Sequence, residues 1–313
     1  SLPVTSRWRI VSTELSPTRP KPGSERDRVR FEVSKVLDAI ESRLTTDPAL
    51  ARATLDLSEV VRYADLDGGR PATLLRLGQV IDALGRHVAM PAEFRFLVDT
   101  GIPFLMEKPW GIDDKTVNEL ADLAESKHAW AAVPMPFRYS LFAETAVEMR
   151  QRGELGTISH MLFRFNQPGV QRYLDLGSPW MLSKADAGGG ALINLGIHGI
   201  DLFRYITSEE PSVVSAVTSH AIHKREIEDY AHVTLRTPGG TVFLNEASYT
   251  FPGTAGDQER KLSAEKVFLK ATTTGGEGVQ IVGPGRDETK RAPEGYLSGW
   301  PKVVNECLNR IGR

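Results

Sequence analysis

The sequence predicts an α/β protein in which a parallel-sheet region precedes a large, mostly antiparallel open sheet. Beyond residue 86, apolar segments alternate with amphipathic ones in the order strand, helix, strand, helix, strand. That alternation is typical of parallel β-α-β units. From Gly156 onward, several strand-like segments follow one another, and the turn Pro238-Gly239-Gly240 separates two of them. Successive strands joined by turns form antiparallel sheets.

The parallel region is predicted from its apolar periodicity and from its turn residues. Pro91 is expected to end the first strand, and Gly101 is expected to end the helix that follows. In chain order the expected elements are a strand at His87–Met90, a helix at Ala92–Thr100, a strand at Ile102–Met106, a helix from Asp113 to about Ser126, and a strand at Trp130–Pro134.

The antiparallel region is predicted from alternating apolar and polar residues, which mark half-exposed strands. A glycine-rich helix after Gly188 interrupts this series, and residues 275–285 are expected to form a polar loop. The expected strands are Thr157–Asn166, Val213–His220, Tyr230–Arg236, Thr241–Tyr249 and Lys261–Thr272.

Two domains are expected for 313 residues, because one hydrophobic core rarely serves so long a chain. We place the boundary near Arg138, which gives a first domain of residues 1–138 and a second of residues 139–313. Residues 1–88 are atypical: they contain a short strand candidate at 7–13 and helix patterns at 24–44 and 73–84.

The composition is that of an ordinary globular protein, with 41% hydrophobic residues, 25% charged residues and a net charge of −2. Without a basic stripe, nucleic-acid binding is disfavoured. No apolar run reaches the roughly 18 residues that a membrane span needs, and the first residues lack the regions of a signal peptide. The single cysteine, Cys307, excludes an intrachain disulfide and fits a cytoplasmic location. The histidines have no zinc-ligand spacing, so no metal is expected.

The glycine-rich segment from Gly188 to Asp201 is a candidate site. Asn194 and His198 are four residues apart and Asp201 follows three later, so a helix aligns all three on one face. The three glycines before them allow a backbone or a ligand to approach closely. A histidine among apolar neighbours is more often a core residue than a catalyst, so this motif alone leaves both interpretations open.

A second candidate motif, Glu107-Lys108-Pro109, follows a buried strand. In an open parallel sheet, ligands bind beyond the carboxyl ends of the strands. A lysine there can exchange a proton with a substrate or donate a hydrogen bond to a hydroxyl or carbonyl group. A lone Lys-Pro pair more often lies in a solvated loop, so its combination with the glycine-rich helix is the more specific signal.

The two motifs together resemble the glucose-fructose oxidoreductase, inositol dehydrogenase and MocA family (GFO/IDH/MocA), from about Val88 to Ile311. The resemblance implies a Rossmann-like nicotinamide-binding domain followed by an α+β domain whose open sheet often mediates oligomers. It implies NAD or NADP as cofactor, and oxidation or reduction at a carbinol carbon of a sugar, polyol or related compound. The other matching segments are Ala89-Met90-Pro91, residues 104–111, residues 138–158, Ser178-Pro179-Trp180 and residues 227–231.

Carried over to this sequence, the resemblance assigns catalytic roles to Lys108, His198 and Asn194. Lys108 would contact substrate and cofactor, and His198 would take the hydroxyl proton. Asn194 stands where many members have aspartate. Because an amide orients a hydroxyl but relays no proton, the acid/base task falls to His198 or Lys108.

The resemblance also suggests further binding residues and a partner. A homo-oligomer, dimer or tetramer, is expected through the C-terminal sheet. A core position is the alternative for Trp180, and a structural role is slightly favoured for Asp201. The predicted substrate-binding residues are Arg138, Tyr139, Tyr173, Trp180 and Asp201, and the predicted cofactor-binding residues are Met90, Pro91, Glu107, Lys108 and Pro109.

Residues 1–90 lack the expected dinucleotide fingerprint, a strand followed by Gly-x-Gly-x-x-Gly and a helix. Three explanations stay open. The cofactor-binding half is divergent; or the chain is a non-catalytic small-molecule-binding or scaffold relative that has lost dinucleotide binding; or its N-terminal region is altered, joined or incomplete. The leading hypothesis is an NAD(P)-dependent oxidoreductase. The substrate and the choice between NAD and NADP are not determined by the sequence.

Overall fold

A computed structural model of the chain describes residues 87–99, 101, 103–175, 178–254, 256–272, 278–292 and 299–311. The elements expected at 7–13, 24–44 and 73–84 lie outside these residues. The predicted division after Arg138 stays a prediction. That residue lies in a 3₁₀ turn, Pro136–Tyr139, which follows the parallel region.

The first described region contains a parallel strand pair with two helices. Phe104 pairs with Ala131 and Leu105 with Ala132, as the β-α-β pattern predicts. Asp113 caps the second helix, because its carboxylate accepts a hydrogen bond from the Thr116 backbone N–H at 2.7 Å. The elements are helix α1 (Met90–Asp99), strand β1 (Phe104–Leu105), helix α2 (Asp114–Ser126) and strand β2 (Ala131–Ala132).

The prediction of a strand at His87–Met90 is wrong, because His87, Val88 and Ala89 form a turn and Met90 begins α1. Pro91 is the second residue of that helix and does not end a strand. Proline is accepted in the first turn of a helix, where its missing N–H has no intrahelical partner to lose. Phe94 of α1 then packs edge-to-face on Phe104 of β1, with ring centroids 5.2 Å apart.

The second region contains an eight-stranded sheet and several helices. Its helices are α3 (Leu141–Gln151), α4 (Gln171–Asp175), α5 (Lys184–Ala187), α6 (Ile197–Thr207) and α7 (Trp300–Ile311), with a 3₁₀ turn at Pro179–Leu182 and a π-helix at Leu192–Gly196. Its strands are β3 (Ile158–Pro168), β4 (Ser212–Ser219), β5 (Tyr230–Arg236), β6 (Val242–Phe251), β7 (Asp257–Ala264), β8 (Phe268–Thr272), β9 (Val279–Gly283) and β10 (Arg286–Lys290).

The strand order is β10-β9-β8-β7-β3-β6-β5-β4, and every neighbouring pair is antiparallel except β3 and β6. The predicted large, mostly antiparallel open sheet is therefore confirmed. Two details were wrong. The segment Lys261–Thr272 is divided between β7 and β8 by a turn, and the expected loop at 275–285 contains β9, which pairs with β10.

One face of the sheet carries the core. Met161, Phe163 and Phe165 alternate along β3 and are buried on this face, as the period of two in a strand requires. Phe203 of α6 stacks on Phe243 of β6, with centroids 4.6 Å apart. A β-carbon on Gly199 of α6 would lie 2.5 Å from the Phe163 ring. This glycine therefore lets α6 lie directly on the sheet.

The opposite face of the sheet carries Leu162, which pairs with Leu244 in the register of β3 and β6. Beside it, Arg164 contacts Asp257 at 2.7 Å and Glu259 at 2.9 Å. These side chains are half-buried or buried in the isolated chain.

The glycine run at 188–190 packs against the segment between β4 and β5. The Glu228 carboxylate accepts hydrogen bonds from the backbone N–H groups of Gly190, at 2.8 Å, and Leu192, at 2.9 Å. A β-carbon on Gly190 would lie 2.1 Å from the Glu228 carbonyl oxygen, whereas one on Gly189 has its nearest contact at 3.3 Å. The close approach that the sequence predicted is therefore an approach to protein backbone.

Gly190→Ala should destabilise the protein by about 1–3 kcal/mol, because overpacking against a fixed backbone forces the Glu228 segment outward. Urea or thermal unfolding followed by circular dichroism measures the change. Gly189→Ala is the matched control and should change the free energy of unfolding much less. Equal stability of the two variants would contradict the packing argument.

Candidate functional site

Lys108 joins the end of β1 to the glycine-rich segment. Its ammonium group donates hydrogen bonds to both oxygens of Asn194, the backbone carbonyl at 2.6 Å and the side-chain Oδ1 at 2.8 Å. These two residues lie 86 positions apart in the sequence. The two motifs singled out in the sequence therefore meet in one cluster.

The Asn194 amide is oriented by two tyrosines. Its Nδ2 donates to the Tyr173 hydroxyl at 2.8 Å and to the Tyr249 hydroxyl at 3.0 Å. The Tyr249 hydroxyl in turn donates to the Gly190 carbonyl at 3.2 Å. Because hydroxyls occupy both donors of the amide, its oxygen faces Lys108. Asn194 thus fixes the position of the Lys108 ammonium group, and Tyr173 and Tyr249 fix the orientation of the Asn194 amide.

The backbone of this segment differs from the single α-helix that the sequence predicts. Residues Leu192–Gly196 form a π-helix, and α6 begins only at Ile197. A π-helical turn inserts an extra residue into the helical path and is frequent at functional sites. Here Asn245 of β6 donates from its Nδ2 to the Gly196 carbonyl at 2.9 Å, which stabilises the end of the wide turn.

His198 lies on the first turn of α6 and is only 3% exposed. Its ring packs against Phe137 and Phe165, at centroid distances of 5.6 Å and 6.4 Å. Burial first, and then the positive charge of Lys108, hold the pKa of His198 well below its usual value. The imidazole is therefore neutral near pH 7.

The ammonium group of Lys108 also has a perturbed pKa. Burial lowers the pKa of Lys108 from 10.5 to about 8; Glu107 opposes this shift and Arg172 adds to it. Burial disfavours the charged form of an amine, since water no longer solvates it. Lys108 therefore exchanges its proton close to neutral pH, which an exposed lysine does not do.

Two predicted substrate residues, Arg138 and Asp201, contact each other. The Arg138 Nε donates to an Asp201 carboxylate oxygen at 2.8 Å, and a second bond joins Nη2 to the other oxygen. Arg138 also lies over the Tyr205 ring, 5.2 Å from its centroid. This bidentate pair ties α6 to the 3₁₀ turn at 136–139 and supports the structural role for Asp201.

The other predicted substrate-binding residues, Tyr173, Trp180 and Tyr139, lie in different surroundings. Tyr173 belongs to the Asn194 cluster. Trp180 is buried and packs edge-to-face on His87, with centroids 5.1 Å apart, an arrangement typical of a core aromatic. Tyr139 is half-buried at the end of its 3₁₀ turn, and burial raises its pKa.

The predicted cofactor residues lie near one another around β1. Met90 is buried in the small core with Phe94 and Phe104, and Pro109 is also buried. Pro91 is half-buried and Glu107 is exposed. Their role in cofactor binding stays a prediction.

Sequence reasoning missed three residues of this region. Arg172 precedes Tyr173 on α4 and donates to its hydroxyl at 2.5 Å. Tyr249 lies at the end of a predicted strand, and Glu228 lies in a connection between strands. The only indication of Glu228 in the sequence was that it lies in segment 227–231, which matches the family. No local sequence pattern indicates that Arg172 or Tyr249 belongs to the site.

Residues 143–266 match the family model of the GFO/IDH/MocA C-terminal domain. The matched range begins in α3 and ends between β7 and β8, so it includes Asn194 and His198. The resemblance inferred from the sequence motifs is thereby confirmed.

Solved structures share the fold. An NAD binding oxidoreductase from Klebsiella pneumoniae is 18% identical, with 67% of this chain and 59% of that chain covered and a TM-score of 0.57. GenD2 from gentamicin A biosynthesis, in complex with NAD, is 23% identical, with 72% and 66% covered and a TM-score of 0.60. An inositol dehydrogenase homolog from Azotobacter vinelandii, complexed with NAD+, is 19% identical, with 70% and 62% covered and a TM-score of 0.57. The chain thus spans less than two thirds of each of these proteins.

Two absences concern only the described part of this chain. Within residues 87–311, apart from the gaps given above, no group of three or more His, Cys, Asp or Glu side chains could hold a metal ion. Among the helices α1 to α7, none is long and apolar enough to cross a membrane.

Replacing the Asn194 amide by a carboxylate should raise the pKa of Lys108 above its value of about 8. A negative charge at the Oδ1 position, 2.8 Å from the ammonium group, favours the charged lysine. Nuclear magnetic resonance of labelled lysine side chains, titrated from pH 6 to 12, measures this shift in Asn194→Asp. The Lys108→Arg variant identifies the signal. A wild-type midpoint above pH 10 would contradict the assignment.

Proposed function

We propose that this chain is an NAD(P)-dependent oxidoreductase that oxidises or reduces the carbinol carbon of a sugar, a polyol or a related compound. The observation that supports it most is the Lys108–Asn194 contact beside the buried His198. This contact places an amine with a pKa of about 8 at the carboxyl end of a parallel strand, where open α/β sheets bind ligands.

The donors around Lys108 suit a nicotinamide cofactor and a hydroxyl substrate. A lysine ammonium has three N–H donors, and Asn194 accepts two of them. The third is left for a ligand at the strand end. When bound there, a nicotinamide cofactor supplies a hydride acceptor for oxidation and a hydride donor for reduction. Lys108, Glu107 and the residues of α1 are the part of the described chain that would hold it.

Lys108 is the group that we propose to exchange the hydroxyl proton. In its neutral form the amine keeps two N–H donors, enough for both Asn194 oxygens, and its lone pair is then available to the substrate O–H. A general base works best when its pKa lies near the working pH, and that of Lys108 is about 8.

His198 is proposed to orient the same hydroxyl as a neutral imidazole. Its pKa lies well below the usual value because of burial and the nearby Lys108 charge. An imidazolium would therefore be unfavourable at this position. Among the two acid/base candidates that the sequence left open, this argument favours Lys108.

Cofactor binding discriminates the enzyme from a relative that has lost it. Isothermal titration with NAD, NADH, NADP and NADPH should show binding of at least one form in the micromolar to low millimolar range, near typical enzyme substrate affinities. Absence of binding at millimolar concentration would exclude the oxidoreductase function for this chain. The non-catalytic small-molecule-binding or scaffold protein would then be the remaining function.

Lys108→Met should lower kcat/KM for alcohol oxidation by about 10²–10⁴-fold, the usual contribution of a general acid–base group. In the wild type, kcat/KM should rise about tenfold per pH unit below pH 8 and level off above it, because only the neutral amine accepts a proton. His198→Gln should lower the rate yet keep this rise. A wild-type rate that is constant from pH 6 to 10 would show that Lys108 is not the base.

We also propose that the chain forms a homo-oligomer through the open face of its C-terminal sheet. Support comes from Leu162 and Leu244, which lie side by side in the register of β3 and β6, on the face opposite the buried Met161 and Phe163, and which are only half-buried. Leu162→Arg should shift the protein toward the monomer in size-exclusion chromatography with light scattering. Lys115→Glu, on the exposed surface of α2, is the control and should leave the assembly unchanged. A wild-type protein that is monomeric at high concentration would contradict the proposal.

A further inference from the structure

Arg172 is a cation near the candidate site without an acidic partner in the described part of the chain. Its guanidinium group donates to the Tyr173 hydroxyl at 2.5 Å and to the Gln167 side-chain oxygen, and it lies over the Tyr173 ring at 4.6 Å. Its Nε is buried and has no hydrogen-bond partner among the described side chains and backbone groups. The three contacts named here are with neutral groups.

Several other arginines in the described part of the sheet domain are paired with acids. Arg138, Arg164 and Arg204 each form an ion pair with a carboxylate. A half-buried guanidinium without such a partner is costly, because neutral oxygens do not replace the solvation of a full charge. Such a group is therefore suited to bind an anion that the chain itself does not supply.

Arg172 belongs to the same cluster as Lys108. The Tyr173 hydroxyl contacts the Arg172 Nη2 at 2.5 Å and the Asn194 Nδ2 at 2.8 Å, and Asn194 Oδ1 contacts Lys108 Nζ at 2.8 Å. The charge of Arg172 also lowers the pKa of Lys108. The only carboxylate beside this pair of cations, among the described contacts, is that of the exposed Glu107.

We propose that the substrate is a sugar or polyol acid, whose carboxylate binds Arg172 while the hydroxyl to be oxidised faces Lys108. This inference rests on the proposed oxidoreductase function. A guanidinium group has five N–H donors in a planar fork that matches a carboxylate, and Tyr173 and Gln167 use two of them. The carboxylate is unchanged in the reaction: the carbinol C–H gives a hydride to NAD(P)+ and the O–H gives its proton to Lys108, which leaves a ketone or an aldehyde.

The experiment compares acids with neutral sugars that differ only in the carboxylate. Binding of D-glucuronate and D-glucose, D-galacturonate and D-galactose, and D-gluconate and sorbitol is measured by isothermal titration of the full chain, with and without NADH. In at least one pair the wild type should bind the acid about tenfold more tightly or better, as one charge-assisted contact provides. The preference should decrease at high salt concentration.

Arg172→Gln should abolish this preference, and Arg172→Lys should retain part of it, since lysine keeps the charge but not the fork. Lys115→Gln, which removes an equally positive but exposed side chain, should leave it unchanged. The melting temperature of each variant shows whether it folds. If Arg172→Gln does not fold, Arg172→Lys still tests the contact between Arg172 and the carboxylate.

The outcomes separate the two proposals. If no acid binds more tightly than its neutral partner, or if Arg172→Gln keeps the preference, the carboxylate proposal is wrong. If Arg172→Gln instead weakens NADH binding, Arg172 contacts the cofactor, and the proposal is again wrong. If the acid preference depends on Arg172 but no nicotinamide cofactor binds, the carboxylate site stands and the oxidoreductase function fails.

Discussion

The contact between Lys108 and Asn194 is the interaction on which the site depends. It is the point where the end of a parallel strand meets the π-helical turn of the sheet domain. Because the ammonium group contacts both the backbone and the side-chain oxygen of one residue, the position of Lys108 follows the backbone of that turn. Any displacement of the glycine-rich segment therefore moves the lysine as well.

The turn is held from the other side by the sheet. Glu228 binds the first N–H groups of the turn, and Gly190 lies against the Glu228 carbonyl with no room for a side chain. Asn245 of β6 binds the turn at its far end. The sheet, the turn and the lysine are thus linked by one continuous set of contacts. Gly190 allows the turn to pack closely on the Glu228 backbone, and Glu228 and Asn245 fix the position of the turn by hydrogen bonds.

The sequence predicted the main parts of this arrangement and missed its details for physical reasons. The fold class and most strands follow from periodicity. Lys108 and Asn194 were found through motifs, and Tyr173 was suggested by the family resemblance. Two predictions from turn residues were wrong: Pro91 lies in the first turn of a helix and does not end a strand, and the glycine-rich segment 275–285 contains strand β9. The mutual pairing of Arg138 and Asp201, and the position of Arg172, depend on side chains brought together by tertiary structure. Local spacing carries no signal for such contacts.

An amide at position 194 has two electrostatic consequences that belong together. A carboxylate there would neutralise the ammonium group and hold the pKa of Lys108 high; the amide lets burial lower the pKa of Lys108 to about 8. The same neutrality leaves the charge of Arg172 uncompensated within the described cluster. A ligand carboxylate restores the balance next to Arg172 while a neutral hydroxyl meets Lys108. One uncharged side chain therefore accounts both for the lowered pKa of Lys108 and for the proposed preference for an anionic substrate.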